Sequence, residues 1–426
     1  MLLSCDLPAL PGWDDEGVRM RMVQISIRRL VGSAALSLLL FSAAQAETQS
    51  VLDCDRYAAS NNDPGTTAGR AGVRFKDLDP EKAKPACEAA YRENPDMGRL
   101  AFQLARTEVK LQNHVRAKTL LEEAVSKGYM LAAVELGLVY DVGRGLPADL
   151  NKAAELYKQA ADDGWAVGMS NLGDLYRLGL GVEQDLQKAL ELYEQSIARG
   201  HTSALGRKAM ALAELYKEGD DPKPLVAALV EAASRNDGIG SADLGYAYLN
   251  GQYGLPVDPI AASVHLKRGY DLGEGWAGIY LALIEIARWD GDLQAADRLR
   301  QMLDTMAEGT DNELRAQALA LKGQLGLLVG TPKAEVADLI DRASALLPDD
   351  AIVLDSRAAL MAAEGKFSEA DALLEKASEN AEDWAPYFAR RSVIQQKLGN
   401  ATRSEELKTL AGNAAEGQYF LQFIDP

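Results

Sequence analysis

Residues 172–200 read LGDLYRLGLGVEQDLQKALELYEQSIARG, and residues 136–164 read LGLVYDVGRGLPADLNKAAELYKQAADDG, nearly the same phrase 36 residues earlier. Within each half of a copy the apolar residues recur at helical spacing: Leu136, Val139 and Tyr140 in the first, then Ala153, Leu156, Tyr157 and Ala160 in the second. Gly143 and Gly145 separate the halves, matched by Gly179 and Gly181. Glycines there supply the positive φ that ends one helix and turns the chain. Asp149 and Asp185 stand where the second helix begins, and a carboxylate at that place accepts from free amides and complements the positive helix end. The unit is a helical hairpin with a narrow apolar stripe, which it buries only by stacking on copies of itself.

A third copy places Leu244, Gly245, Tyr248, Gly251, Gly254, Asp258 and Gly273 on the same scheme, with one inserted residue and Ala261 where the first two copies carry lysine. Residues 201–237 form a degenerate unit whose first helix is expected to be one turn longer and whose turn is Gly219-Asp220-Asp221-Pro222. The pattern, with Gly137, Tyr140, Gly173 and Tyr176 at the same positions, resembles the Sel-one-like repeat family, α/α relatives of the tetratricopeptide repeat. That resemblance implies an all-α, right-handed α/α solenoid. Hairpins over 96–128, 276–306, 311–347, 350–380 and 383–412 extend the period in a tetratricopeptide-like dialect, giving about nine in all. We therefore divide the chain into Sel-one-like repeats over 94–273 and tetratricopeptide-like repeats with a C-terminal cap over 274–426.

The N-terminus reads as a targeting signal. Arg21, Arg28 and Arg29 precede an apolar run from Leu30 to Phe41, and Ala44-Gln45-Ala46 offers a small-residue cleavage site. Residues 1–19, acidic and ahead of Met20 and Met22, read as a misannotated start, and 20–46 as a signal peptide that leaves no stable membrane span. Periplasmic or secreted localisation is the expectation. Of the three cysteines, Cys54 and Cys87 follow the cut; in an oxidising compartment two such thiols pair. Residues 47–93, read as a loop-like stretch followed by a short helix, become a disulfide-pinned N-terminal cap.

The net charge of −18 repels phosphate backbones and excludes nucleic acid as the expected partner. Catalytic signatures are missing: there is no G-x-S-x-G, S-x-x-K, H-E-x-x-H or C-x-x-C. His114, His201 and His265 are isolated, so no metal site and no cofactor are expected. Acidic pairs such as Asp162-Asp163, Asp220-Asp221 and Asp349-Asp350 sit at inter-helix loops and read as caps or solvated groups. Trp165, Trp276, Trp289 and Trp384 lie near helix ends and read as packing residues.

In a stack of hairpins the first helix of each unit lines the concave surface. Its Leu, Gly and Tyr face the core, which leaves Glu135, Asn171, Asp174, Arg177, Asp243 and Tyr246 as the candidate partner-binding residues. The family resemblance implies a non-enzymatic scaffold or adaptor with a protein partner, of the kind that modulates envelope signalling or assembly complexes. The alternative is a ligand-binding or weakly hydrolytic, penicillin-binding-like secreted repeat protein. Those relatives carry cysteines in every repeat, and here none lies beyond the cap.

Overall fold

A computed structural model describes residues 48–60, 63, 72–145, 147–380 and 385–412. The readings made above for 1–46 and for Trp384 lie outside these residues. The described chain is an α/α solenoid of consecutive hairpins. In order these are α1 (Gln49–Ala58) with α2 (Pro80–Glu93), α3 (Gly98–Lys110) with α4 (His114–Ser126), and α5 (Leu131–Val142) with α6 (Leu150–Asp162). Next come α7 (Ala166–Leu178) with α8 (Leu186–Ala198), α9 (Ala204–Leu215) with α10 (Lys223–Ser234), and α11 (Gly238–Asn250) with α12 (Pro259–Asp271). The last are α13 (Gly275–Ala287) with α14 (Leu293–Ala307), α15 (Asn312–Leu328) with α16 (Lys333–Leu346), α17 (Ala351–Ala363) with α18 (Phe367–Asn380), and α19 (Ala385–Lys397) with α20 (Ala401–Ala411). An isolated parallel bridge between Ser60 and Val73 is the sole β pairing among the described residues.

Three repeats share one wiring. Gly143, Gly179 and Gly251 end their helices in the left-handed region at φ 67°, 69° and 64°. The chain then returns so that the amides of Asp149, Asp185 and Asp258 donate to the carbonyls of Tyr140, Tyr176 and Tyr248, each at 2.9 Å. The same aspartates cap α6, α8 and α12 by accepting from Lys152, Lys188 and Ala261 amides. Gly137 and Gly173 leave a bare strip on the first helix. The rings of Tyr157 and Tyr193 lie on it, so close that an added Cβ would sit 2.5 and 2.7 Å from them. Both rings are fully buried, and Leu266 takes their place against Gly245.

Two local expectations are corrected. The loop reading of residues 53–72 is corrected at its start: residues 53–58 belong to α1, whose Val51, Cys54 and Ala58 turn inward at helical spacing. The cap is therefore itself a hairpin, a signal too short to stand out by periodicity. Helix α9 is not lengthened: it has 12 residues, and Tyr216 leaves helical geometry at ψ 133°. Cys54 and Cys87 form a disulfide that ties α1 to α2 across a separation of 33 residues. Closing a loop of that size contributes about 4 kcal/mol in the chain-entropy account. Reduction should accordingly loosen α1 and α2 while far-UV circular dichroism of the central repeats is retained; two freely reactive thiols in the non-reduced protein would contradict the pairing.

Successive odd-numbered helices touch one another directly, α5 with α7, α7 with α9, α9 with α11, α11 with α13, and α13 through α15 to α17. They form the inner row of the solenoid, and the even-numbered helices form the outer one.

Candidate functional site

The inner row presents the helix positions that the packed Leu and Gly leave over. Asn171 and Asp174 on α7, and Asp243 and Tyr246 on α11, are three residues apart and share a face. All six predicted residues, Glu135, Asn171, Asp174, Arg177, Asp243 and Tyr246, are half-buried. They separate into two environments.

Along α7 the charged groups are paired with the next repeat. Asp174 accepts from the Tyr193 hydroxyl at 2.7 Å and pairs with Arg207 Nε at 3.0 Å. Arg207 also donates to Ser170 Oγ at 3.1 Å, and Arg177 pairs with Glu214. These contacts span from α7 to α9 and link neighbouring repeats. Burial pushes the Asp174 carboxyl up, against the opposing pull of Arg207. Glu135 is raised by burial as well, with Arg106 and Arg144 acting in the other direction. Asn171 sits beside the Tyr157 hydroxyl, which donates to Asp141 at 3.2 Å.

Along α11 and α13 the arrangement differs. Tyr246 meets Tyr280 at 4.9 Å and Trp276 at 6.2 Å between ring centroids, and Trp276 meets Tyr280 at 5.9 Å, with interplanar angles of 76°, 80° and 84°. Asp243 lies one turn before Tyr246, and Glu274 sits at the N-cap of α13, two residues before Trp276. Burial, then the charges of Glu274 and Asp237, push the Asp243 carboxyl up to about 7. Glu274 is raised by burial and by Asp237, with Arg207 opposing. A second aromatic pair, Tyr216 and Tyr253, lies alongside at 5.3 Å and 88°. Tyr253 holds a left-handed backbone, φ 56° and ψ 30°, rare for a bulky residue.

The Asp243 environment has a measurable consequence. A carboxyl whose folded-state pKa is raised keeps its proton more tightly in the native chain than in the unfolded one. Stability therefore declines as pH climbs from about 4 to about 7 and stays level above that. Lifting the group from an ordinary 3.8 to about 7 sets a ceiling of about 4 kcal/mol at alkaline pH. Solvent screening at this partly open position reduces it to about 1–2 kcal/mol. Asp243→Asn should raise the urea midpoint at pH 8 and leave it nearly unchanged at pH 4; equal midpoint gains at both pH values would contradict this.

Sequence reasoning did not single out Arg207 and Glu214, which lie in the degenerate unit where the motif register is lost. It also read Trp276 as packing alone and passed over Tyr280 and Glu274. The available signal was the aromatic pair at i, i+4 on α13, one repeat after Tyr246. Among the described residues no cluster of three or more His, Cys, Asp or Glu is arranged to hold a metal ion, and no helix is long and apolar enough to cross a membrane. On the outer side, a cleft of about 540 Å³ between α12, α13 and α14 is lined by Val264, Lys267, Tyr270, Leu281, Arg298 and Met302.

Residues 131–165, 166–201 and 240–274 match the Sel1 repeat family. No curated protein is significantly similar in sequence. Similar solved structures include a Sel1 repeat protein from Oxalobacter formigenes, at 20% identity, 53% coverage of this chain, 94% of that one and a TM-score of 0.46. Another is a protective antigen present in uropathogenic Escherichia coli strains and displaying an SLR fold, at 17% identity, 84% coverage of each chain and a TM-score of 0.41.

Proposed function

The chain is a Sel1-like repeat protein, and from that premise we propose that it is a non-enzymatic, exported scaffold that grips a protein partner on its inner row of helices and modulates an envelope signalling or assembly complex. The observation that carries this reading is the inner row itself. Odd-numbered helices lie side by side there and present half-buried polar and aromatic groups, Asn171, Asp174 and Arg177 on α7 and Asp243 and Tyr246 on α11. A partner segment laid across such a row meets side chains from several repeats at once, which is how solenoids build extended binding surfaces.

Export is supported by the basic, apolar and small-residue succession over residues 21–46 and by the pairing of Cys54 with Cys87; disulfides persist in oxidising compartments. A partner other than nucleic acid is supported by the charge of −18. The absence of hydrolase signatures from the sequence supports a binding role over a catalytic one. The division into a cap over 47–93, Sel1-like repeats over 94–273 and tetratricopeptide-like repeats over 274–426 is part of the same proposal.

The test places a photo-crosslinking residue at Asn171 or Tyr246 on the inner row, and at Lys158 on the outer face, in cells producing the full chain. Protein adducts from the inner positions are expected. Adducts from Lys158 alone would overturn the assignment of the face. Retention of a reporter fused to residues 1–46 inside the cytoplasm would overturn the export proposal.

A further inference from the structure

We propose that the outer cleft between α12, α13 and α14 binds a monomeric fatty-acid anion, with the alkyl chain along its apolar floor and the carboxylate at Lys267 and Arg298. The site lies away from the inner row, so it stands or falls independently of what that row grips.

The cleft has its origin in the sequence. In the third Sel1-like repeat the first helix carries Leu244, Gly245 and Tyr248; 37 positions further on, α13 carries Leu281, Ala282 and Glu285 in the same places. Tyr248 is half-buried and packs on the core of its hairpin. A carboxylate put in place of that ring is costly to bury, and Glu285 stays exposed. Helices α11 and α12 close tightly on each other, whereas α14 packs mainly on α15 and only lightly on α13. The gap left at this hairpin is the cleft of about 540 Å³, a size that suits a small organic ligand.

The lining decides what fits. Ala295, Leu299 and Met302 recur at i, i+4 and i+7 on α14 and make one apolar strip along that helix. Leu281 of α13 lies beside it as floor, and Val264 of α12 adds an apolar side chain that is 62% exposed. A strip of this kind takes an extended hydrocarbon chain. Two bases line the cleft, Lys267 from α12 and Arg298 from α14, against one acid, Glu285, in a chain whose net charge is −18. Lys267 is shared with Asp271 at 2.7 Å. Arg298 has a single carboxylate in reach among the described residues, Asp292 at 3.9 Å, which is beyond hydrogen-bonding distance. Its guanidinium therefore keeps donors for an incoming anion. An apolar strip with an excess of base beside it selects an anionic amphiphile and sets like charges against a cationic one.

The probes are octanoate, decanoate, decyltrimethylammonium and a leucine-rich amphipathic helical peptide, each kept below the concentration at which it self-associates. They are titrated into the full chain carrying methionine labelled with carbon-13 at its methyl group, and the Met302 resonance is identified by its loss in Met302→Leu. Decanoate should shift that signal saturably and bind about tenfold more tightly than octanoate, because two more methylenes leave water. Decyltrimethylammonium should bind several-fold more weakly than decanoate. Arg298→Gln, at an exposed position, should weaken decanoate about threefold to fivefold and leave decyltrimethylammonium no weaker. Ala295→Phe, which fills the cleft from a half-buried helix position, should abolish saturable decanoate binding; circular dichroism checks that both variants are folded. The inference is overturned by a Met302 signal that decanoate does not saturate, by decyltrimethylammonium binding as tightly as decanoate, or by decanoate affinity unchanged in Ala295→Phe or in Arg298→Gln. A peptide that shifts Met302 at lower concentration than decanoate does would also overturn it and make the cleft a groove for a partner helix.

Discussion

Substituting valine for Gly181 should lower stability by about 3 kcal/mol or more. Gly181 holds φ +68°, a region that costs a side-chain-bearing residue about 1–2 kcal/mol. A Cβ there would also stand 2.3 Å from the carbonyl oxygen of Leu150, 2.4 Å from its carbon and 2.9 Å from the Asn151 nitrogen. These are backbone atoms at the start of α6 in the preceding repeat, so no rotamer change relieves the clash, and overpacking adds about 1–3 kcal/mol. The damage should be local, since each repeat leans only on its neighbours. Hydrogen exchange should show protection lost over α5 to α8 and kept over α15 to α18. Gly200→Ala is the control: its φ is +87° with nothing within 4 Å of the added Cβ, so only the backbone contribution of about 1–2 kcal/mol applies. A urea midpoint for Gly181→Val matching that of Gly200→Ala would refute the inter-repeat contact.

Asp355→Ala should be the most damaging single change in the C-terminal half, at about 3–5 kcal/mol. Asp355 and Arg390 form an ion pair between α17 and α19 with side chains only 1% and 4% exposed. Gln324 of α15 donates to the same carboxylate at 2.8 Å, and the Arg390 guanidinium lies 5.5 Å from the Tyr387 ring centroid. Truncating the acid leaves the arginine's buried charge without its carboxylate and strips Gln324 of an acceptor. Replacing both partners with apolar groups of similar volume, Asp355→Leu with Arg390→Met, should recover most of the loss. A double variant as unstable as Asp355→Ala in urea denaturation would show that the charge pair is not the source of the effect.

The Sel1-like repeats were legible because their signals are chemical and local. A left-handed turn selects Gly143 and Gly179, and a helix start selects Asp149 and Asp185, so the residues that shape the hairpin are also the ones that stand out in the sequence. Cys54 and Cys87 were legible as the two thiols that follow the apolar run from Leu30 to Phe41. The second helix of the cap was readable, but α1 was not, because ten residues hold fewer than three turns of pattern. The inner-face residues were found by subtraction, as positions the packed motif does not use. Subtraction identifies a face without its partners. That Asp174 and Arg177 are answered by Arg207 and Glu214, while Asp243 is not answered by a base, depends on what the next repeat brings across. That next repeat is the degenerate 201–237 unit in one case and the aromatic start of α13 in the other.

The covalent tie between α1 and α2 gives the array a direction. Stacked units held by their neighbours come apart from the ends, where each has a neighbour on one side only. Here the first described hairpin is sewn shut by Cys54 and Cys87, and the hairpins from α3 to α20 hold no cysteine. Local opening that spreads along the stack toward the amino terminus therefore meets, in α1 and α2, a hairpin whose two helices cannot part without a chemical reductant.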